Sequence, residues 1–325
     1  MGIMMKISFG VRVPNVTLPR YFPMLRRLDY KALLDYAVEA ELLGYDSVWV
    51  NDHLIFGSGI LECWTTLSSL VPITERIRLG TLVLCNNFRY PSVLAKMAAT
   101  LDYISEGRLE FGIGAGWYEE EHRAYGIPFP KPAERVERLK EAVEIIKKMW
   151  TEESPHYYGK FYKIEGAVCE PKPLQKPHPP ITIGGAGEKL MMRLIAQHAD
   201  RCNFAHRSPV EYAHKLNVLK EACSKVGRRF DEIEKSWWGR AMISNDVEEI
   251  NAQLKALYLS QKRDSPFEEW VEEIKANSIV GTPEECIEKL REYTRLGVTY
   301  FILRFGDAPA KKGLRLFAEE VINEF

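Results

Sequence analysis

Asp52 and His53 stand together in the run GYDSVWVNDHL (44–54), directly after an apolar stretch that reads as a strand. An imidazole at the end of a strand can exchange a proton near neutral pH, and Asp52 could fix its tautomer or hydrogen-bond the edge of a planar cofactor. The plainer alternative is a helix-capping aspartate beside a surface histidine. A second group of residues, RLEFGIGAGWYEEEHRAYGIPFP (108–130), places Gly112, Gly114 and Gly116 at another strand end, where a residue without a side chain lets a flat ring or a phosphate come close to the backbone. Trp117 and Tyr118 follow as candidate walls of a cofactor pocket. This is not a dinucleotide fingerprint, because G-x-G-x-x-G would need glycine at Trp117 or Glu119. A third group, PPITIGGAGEKLMMRLIAQHAD (179–200), ends a strand in Gly184, Gly185, Ala186 and Gly187 before a helix, and free amides at such a helix start suit a phosphate. Its spacing fails the Walker pattern. The fourth is apolar: Leu82, Val83 and Leu84, which read either as core or as support beneath one face of a ring.

Eight repeats of strand and helix are available to position these groups. The strands read as 6–13, 46–51, 77–85, 109–114, 180–184, 200–204, 236–243 and 299–305. Several are apolar without alternation, as strands covered on both faces should be. Apolar residues at helical spacing fill 30–43, 91–104, 133–150, 188–198, 209–226 and 283–296. Thr282, Pro283 and Glu285 form a capping-box start for the last helix, and Gly44 and Gly297 suit the ends of helices. Alternation of this kind predicts an α/β fold, a single (β/α)₈ TIM barrel over 1–325 with insertions at about 126–180 and 227–278. In the first insertion Gly159 and Lys160 could turn a small hairpin. In such a barrel the residues just after each strand form the active mouth, which is where the four groups fall.

Composition narrows the function classes. The 325 residues are 46% hydrophobic and 27% charged with a formal net charge of −1, enough for a large core and too balanced for a nucleic-acid face or a polybasic membrane tail. The N-terminal residues carry no long apolar segment before a cleavage site, so the expectation is a soluble, cytoplasmic protein acting on a small molecule. The six cysteines lie far apart with no C-x-x-C pair, which suits reduced, buried thiols. A metal-dependent barrel hydrolase using His53, Asp52 and His206 is disfavoured because no H-x-H or comparable ligand cluster occurs at a strand end.

Taken in order, GYDSVWVNDHL, RYPSVLAKMAATLDYISEGRLEFGIGAGWYEEEHRAYGIPFP, PKPLQKPHPPITIGGAGEKLMMRLIAQHADRCNF and VGTPEECIEKLREYTRLGVTYFILRF make the chain resemble the bacterial luciferase-like superfamily, in particular its coenzyme F420-dependent oxidoreductase branch. The resemblance implies a cofactor lying across the barrel mouth, often in a homodimer. It implies that Asp52 contacts the deazaflavin ring and that His53 sits beside the reacting substrate carbon. It also implies a non-proline cis peptide at Leu82-Val83 beneath the ring. Gly114, Ala115, Gly116 and the amides of Gly184, Gly185, Ala186 and Gly187 would line the cofactor's tail and phosphate. Cys85 falls where relatives often place a hydroxyl. Relatives that oxidise sugar phosphates or secondary alcohols have a glutamate where Trp117 stands and a tryptophan where this chain has Gly57, so neither activity is expected here. Among Glu119, Glu120 and Glu121 no substitute acid stands out. The implied reaction is hydride transfer between coenzyme F420 and an organic substrate, with His53 as general acid or base. The alternatives are an FMN-dependent monooxygenase that activates dioxygen and a non-catalytic flavin-binding protein.

Overall fold

In the computed structural model, which describes residues 6–17, 27–261 and 264–325, the apolar runs become parallel strands of one closed sheet. In chain order the strands are β1 (Ser8–Arg12), β2 (Ser47–Val50), β3 (Arg78–Thr81), β4 (Leu84–Cys85), β5 (Leu109–Gly114), β6 (Tyr157–Tyr158), β7 (Lys163–Ile164), β8 (Ile181–Gly184), β9 (Arg201–Ala205), β10 (Glu234–Ile243), β11 (Ile279–Gly281) and β12 (Val298–Phe305). The ring runs β10, β12, β1, β2, β3, β5, β8, β9, and β9 pairs back onto β10. With β3 and β4 as two pieces of its third strand, this is the eight-stranded (β/α)₈ barrel that the sequence pattern predicts. The third strand is not continuous as read: it breaks at Leu82-Val83, whose peptide bond is cis, and resumes against β5.

The helices keep the expected order. Pro91–Ile104 and Pro209–Val226 match their predicted bounds, and Pro283–Arg295 opens on Thr282 with both bonds of its capping box to Glu285. The helix expected from Glu188 begins only at Leu190. Cys63–Leu70 was not read as a helix, because CWTTLSSL is rich in residues that compete for backbone hydrogen bonds; the Glu62 carboxylate caps it by accepting from the amides of Trp64 and Thr65.

Packing closes the lumen and gives the mouth a floor. Trp49 fills the barrel centre with Leu82, Tyr300 and Ile302, and its indole donates to Ser47 Oγ at 2.7 Å. Gly10 and Gly80 leave the space for that indole, since a Cβ on either would come within 2.5 Å of it. Removing an aromatic side chain of this size from water is worth about 4–6 kcal/mol before entropy is counted.

The hairpin of β6 and β7 forms where Gly159 and Lys160 predict it, and Glu141 secures it by accepting from the amides of Lys160, Phe161 and Tyr162. The second stretch, 227–278, includes the barrel strand expected at 236–243. Its first part contains β10, a barrel strand, and the excess consists of helices Val247–Gln261 and Phe267–Asn277 with β11. These pack into their own cluster around Leu254, Leu257 and Trp270. Among the described residues no helix is long and apolar enough to cross a membrane.

Candidate active site

Three of the four residue groups meet at the carboxyl-terminal ends of the strands, around one cavity of about 470 Å³, and Leu82 to Cys85 form part of the same wall. Asp52, His53, Leu82, Val83, Cys85, Gly114, Ala115, Gly116, Trp117, Gly184, Gly185 and Ala186 all line it, together with Arg12, Asn51, Glu121 and Arg207. Gly187 does not. Its carbonyl accepts from the Met192 amide at 3.1 Å, which turns it into the base of the following helix.

His53 is held on every side. Its ring stacks on Phe56 with centroids 4.3 Å apart and meets the edge of Trp117 at 5.6 Å. Nδ1 lies 3.0 Å from Glu121 Oε1, and the Leu54 amide donates to Glu121 Oε2 at 3.0 Å. The carboxylate is buried on a short helix, Glu119–Ala124, opening after β5. A carboxylate accepts only, so Nδ1 carries the proton in this bond and Nε2 is left for a ligand. Glu121 is thus the residue that sequence reasoning left unassigned, because three consecutive glutamates hid which of them turns inward.

Asp52 does not orient His53. Its carboxylate is taken by Arg89 in a two-pronged ion pair, with Nη1 2.8 Å from Oδ2 and Nη2 2.9 Å from Oδ1, and by the Cys85 amide at 2.9 Å. Burial opposes the Arg89 charge, but the hydrogen bonds and charge of Asp52 outweigh it and hold the guanidinium more firmly protonated than usual. The pair pins the end of β2 to the end of the third strand. Cys85 itself lies 3.6 Å from His122 Nε2, and burial pushes its thiol up to about 12, so it remains a neutral S–H.

The strand-end glycines have a reason that the sequence did not show. A Cβ on Gly114 or Gly184 would come within about 3 Å of the Val83 methyl groups, at 3.0 and 2.9 Å, whereas one on Gly112 would first strike the Thr81 carbonyl at 2.1 Å and then Val83 at 2.9 Å. These glycines therefore admit Val83, which rises between β5 and β8 into the cavity. The 184–187 loop is also less open than expected, because the Gly185 amide donates to the Asn203 carbonyl at 3.3 Å. His206 lies against Trp238, and among the described residues no three metal-ligating side chains cluster.

A closed parallel barrel whose mouth holds a half-buried histidine oriented by a buried carboxylate defines an enzyme-like site. The family model of luciferase-like monooxygenases matches residues 7–300, and the chain belongs to that family. It is similar to the F420-dependent glucose-6-phosphate dehydrogenase of Microbacterium testaceum (strain StLB037), with 29% identity over 91% of this chain and 96% of the relative. Among solved structures, an F420-dependent secondary alcohol dehydrogenase in complex with an F420-acetone adduct superposes with a TM-score of 0.81 at 20% identity, covering 98% of both chains. Monooxygenase RslO1 from Streptomyces bottropensis does so with a TM-score of 0.79 at 22% identity, covering 98% of this chain and 99% of the other.

Proposed function

We propose that this chain is an oxidoreductase that passes hydride between coenzyme F420 and a small organic substrate, with His53 as general acid or base at the substrate oxygen. The observation that carries the reading is the half-buried His53, oriented by the buried Glu121 carboxylate, on the wall of the cavity that Val83 enters. The cavity suits a flat cofactor: its volume is in the usual ligand range, Leu82 and Val83 give an apolar ridge, and side-chain-free positions flank that ridge. Coenzyme F420, when bound, supplies the ring carbon that accepts or returns hydride. Leu82 and Val83 would support the ring, Gly114, Ala115, Gly116 and Trp117 its flank, and Gly184, Gly185 and Ala186 with the start of helix Leu190–His198 the phosphate. Asp52 would contact the ring edge, held in place by Arg89. His53 Nε2 would hold or receive the substrate proton while Glu121 stabilises the imidazolium that results.

The expected partner state is a homodimer, and the expected location is the cytoplasm. The competing reading, reduced FMN with dioxygen, has weaker support, from the family's description as luciferase-like monooxygenases. Fluorescence-quenching titration of the full chain with each cofactor decides between them. Micromolar F420 binding is the expected result; micromolar FMN binding with no F420 binding would sink the proposal in favour of the monooxygenase.

A further inference from the structure

Gly184, Asn203 and Ser236 are register partners on three adjacent strands, β8, β9 and β10. Register partners in a parallel sheet turn their side chains to the same face, and a Cβ on Gly184 would point at Val83, so the row faces the lumen. Cys202 and Phe204, on either side of Asn203, pack in the main hydrophobic core instead. Asn203 therefore stands at the level of Val83, one strand from the glycine that admits it. It is buried, 3% exposed, and lines the same cavity as His53 and Val83.

The orientation of the Asn203 amide follows from its neighbours. Ser236 Oγ lies 2.8 Å from the Cys202 carbonyl, which can only accept, so the single hydroxyl proton is committed there. The hydroxyl oxygen then accepts from Asn203 Nδ2 at 2.9 Å, and Oδ1 is the atom left over. Oδ1 finds no donor among the described residues, yet it is not sealed inside the protein: it opens on the cavity that Asn203 lines. The other amide and carboxylate side chains on that wall are engaged. Asn51 Oδ1 accepts from Arg12 at 2.7 Å, Asp52 is clamped by Arg89 and the Cys85 amide, and Glu121 holds His53 and the Leu54 amide.

A ligand that seals this acceptor from water without offering it a proton loses one buried hydrogen bond. Whatever rests on the Val83 ridge and reaches β9 must therefore present an N–H or O–H at its edge. We propose that Asn203 Oδ1 accepts from the imide N–H of the cofactor's pyrimidine ring, and so fixes which end of the ring system lies against β9. Flavins and deazaflavins share that edge, one N–H between two carbonyls. Their opposite ends differ, a methylated benzene ring in FMN and a phenol in coenzyme F420. The inference rests on the proposed ring cofactor, and it holds for either of the two.

Fluorescence-quenching titration with F420 and with FMN, each compared with its imide-methylated derivative, tests this on the full chain and on its N203L and N203A variants. The parent should bind at least one of the two cofactors, and methylation of the imide should weaken that binding about tenfold or more, the loss expected for one hydrogen bond to a buried acceptor. In each folded variant the unmethylated cofactor should bind about tenfold more weakly than in the parent, and methylation should then cost less than about threefold, because both changes remove the same contact. Asn203→Ala adds no atoms, so it keeps the test open if a thermal melt shows that N203L does not fold. A methylation penalty absent from the parent, or as large in the folded variants as in the parent, overturns the inference and leaves the ring cofactor in place. So does a variant that binds the cofactor as the parent does. If neither cofactor binds the parent, the ring-cofactor reading and this inference fall together.

Discussion

The two ends of the barrel use the same charged residue types in opposite ways. At the amino-terminal end Arg201 is shared between Glu110 and Glu234 at 2.6 Å each, Arg78 also pairs with Glu110, and the Tyr300 ring lies 3.9 Å from the Arg201 guanidinium. Each charge there meets its opposite one or two strands away. At the carboxyl-terminal end Arg12, Arg240 and Arg304 are neighbours of like sign, and the acids either clamp a strand end, as Asp52 does, or orient a base, as Glu121 does. Neutralised buried charge holds strands together and offers a ligand nothing; an acid that orients a base on a cavity wall leaves that base a free nitrogen for chemistry. The contrast separates scaffold from site more clearly than burial does, because both ends are buried.

The largest expected effect is at the mouth. His53→Ala should lower turnover by about 10²–10⁴ while the F420 dissociation constant stays nearly unchanged. Parallel loss of both would make His53 structural and dissolve the contrast. Glu121→Gln should cost less, roughly tenfold to a hundredfold in kcat with KM little changed, since the amide still accepts a hydrogen bond but cannot stabilise an imidazolium. A displaced limb in its pH–rate profile would identify Glu121 as a positioning residue acting through His53.

At the other end, Glu110→Gln leaves the buried Arg201 and the half-buried Arg78 short of a counter-charge and should destabilise the fold by about 3 kcal/mol in urea unfolding. Cofactor affinity of the folded fraction should be spared. A variant as stable as the parent would show that the lower network is ornamental. Smaller again is Gly184→Ala, whose new methyl meets Val83 Cγ2 at 2.9 Å. Overpacking of this kind costs about 1–3 kcal/mol, and pairing it with Val83→Ala should restore part of the loss, because the two substitutions share one contact.

The scaffold was far more legible in the sequence than the chemistry of the site. Apolar runs and capping signals such as Thr282 with Glu285 depend on local order, so eight barrel strands and the hairpin at Gly159 could be read directly. Helix Cys63–Leu70 was missed because Glu62 and tertiary packing, rather than the propensities of CWTTLSSL, decide its conformation. At the site, the expected positions other than Gly187 gather around one cavity, but their pairings were not legible. Asp52 adjoins His53 in sequence yet pairs with Arg89, while the true partner of His53 lies 68 residues away. The row of Gly184, Asn203 and Ser236 was invisible for the same reason: strand register, not spacing along the chain, makes them neighbours.

The smallest prediction contrasts two histidines. His198 ends a helix near the amino-terminal side of the barrel, and burial, against the pull of Glu144, lowers its pKa to about 4. His206 at the mouth is lowered by burial and by the guanidinium groups. An unfolded imidazole titrates near ~6.5, so below that pH the unfolded chain takes up protons that the folded chain refuses. For His198 the sign follows: above ~6.5 both states are neutral and nothing is lost, and stability falls as pH drops from ~6.5 to about 4, below which the loss stays constant. At about 1.4 kcal/mol per pKa unit, and after allowance for solvent screening, His198 accounts for roughly 1–2 kcal/mol. His198→Gln should flatten the stability–pH curve in that window, as read by urea unfolding at several pH values. NMR titration then separates the two ends. R304M should raise the His206 pKa, because a like charge has gone, and leave His198 where it was; equal movement of both would mean that the mouth cations do not act locally.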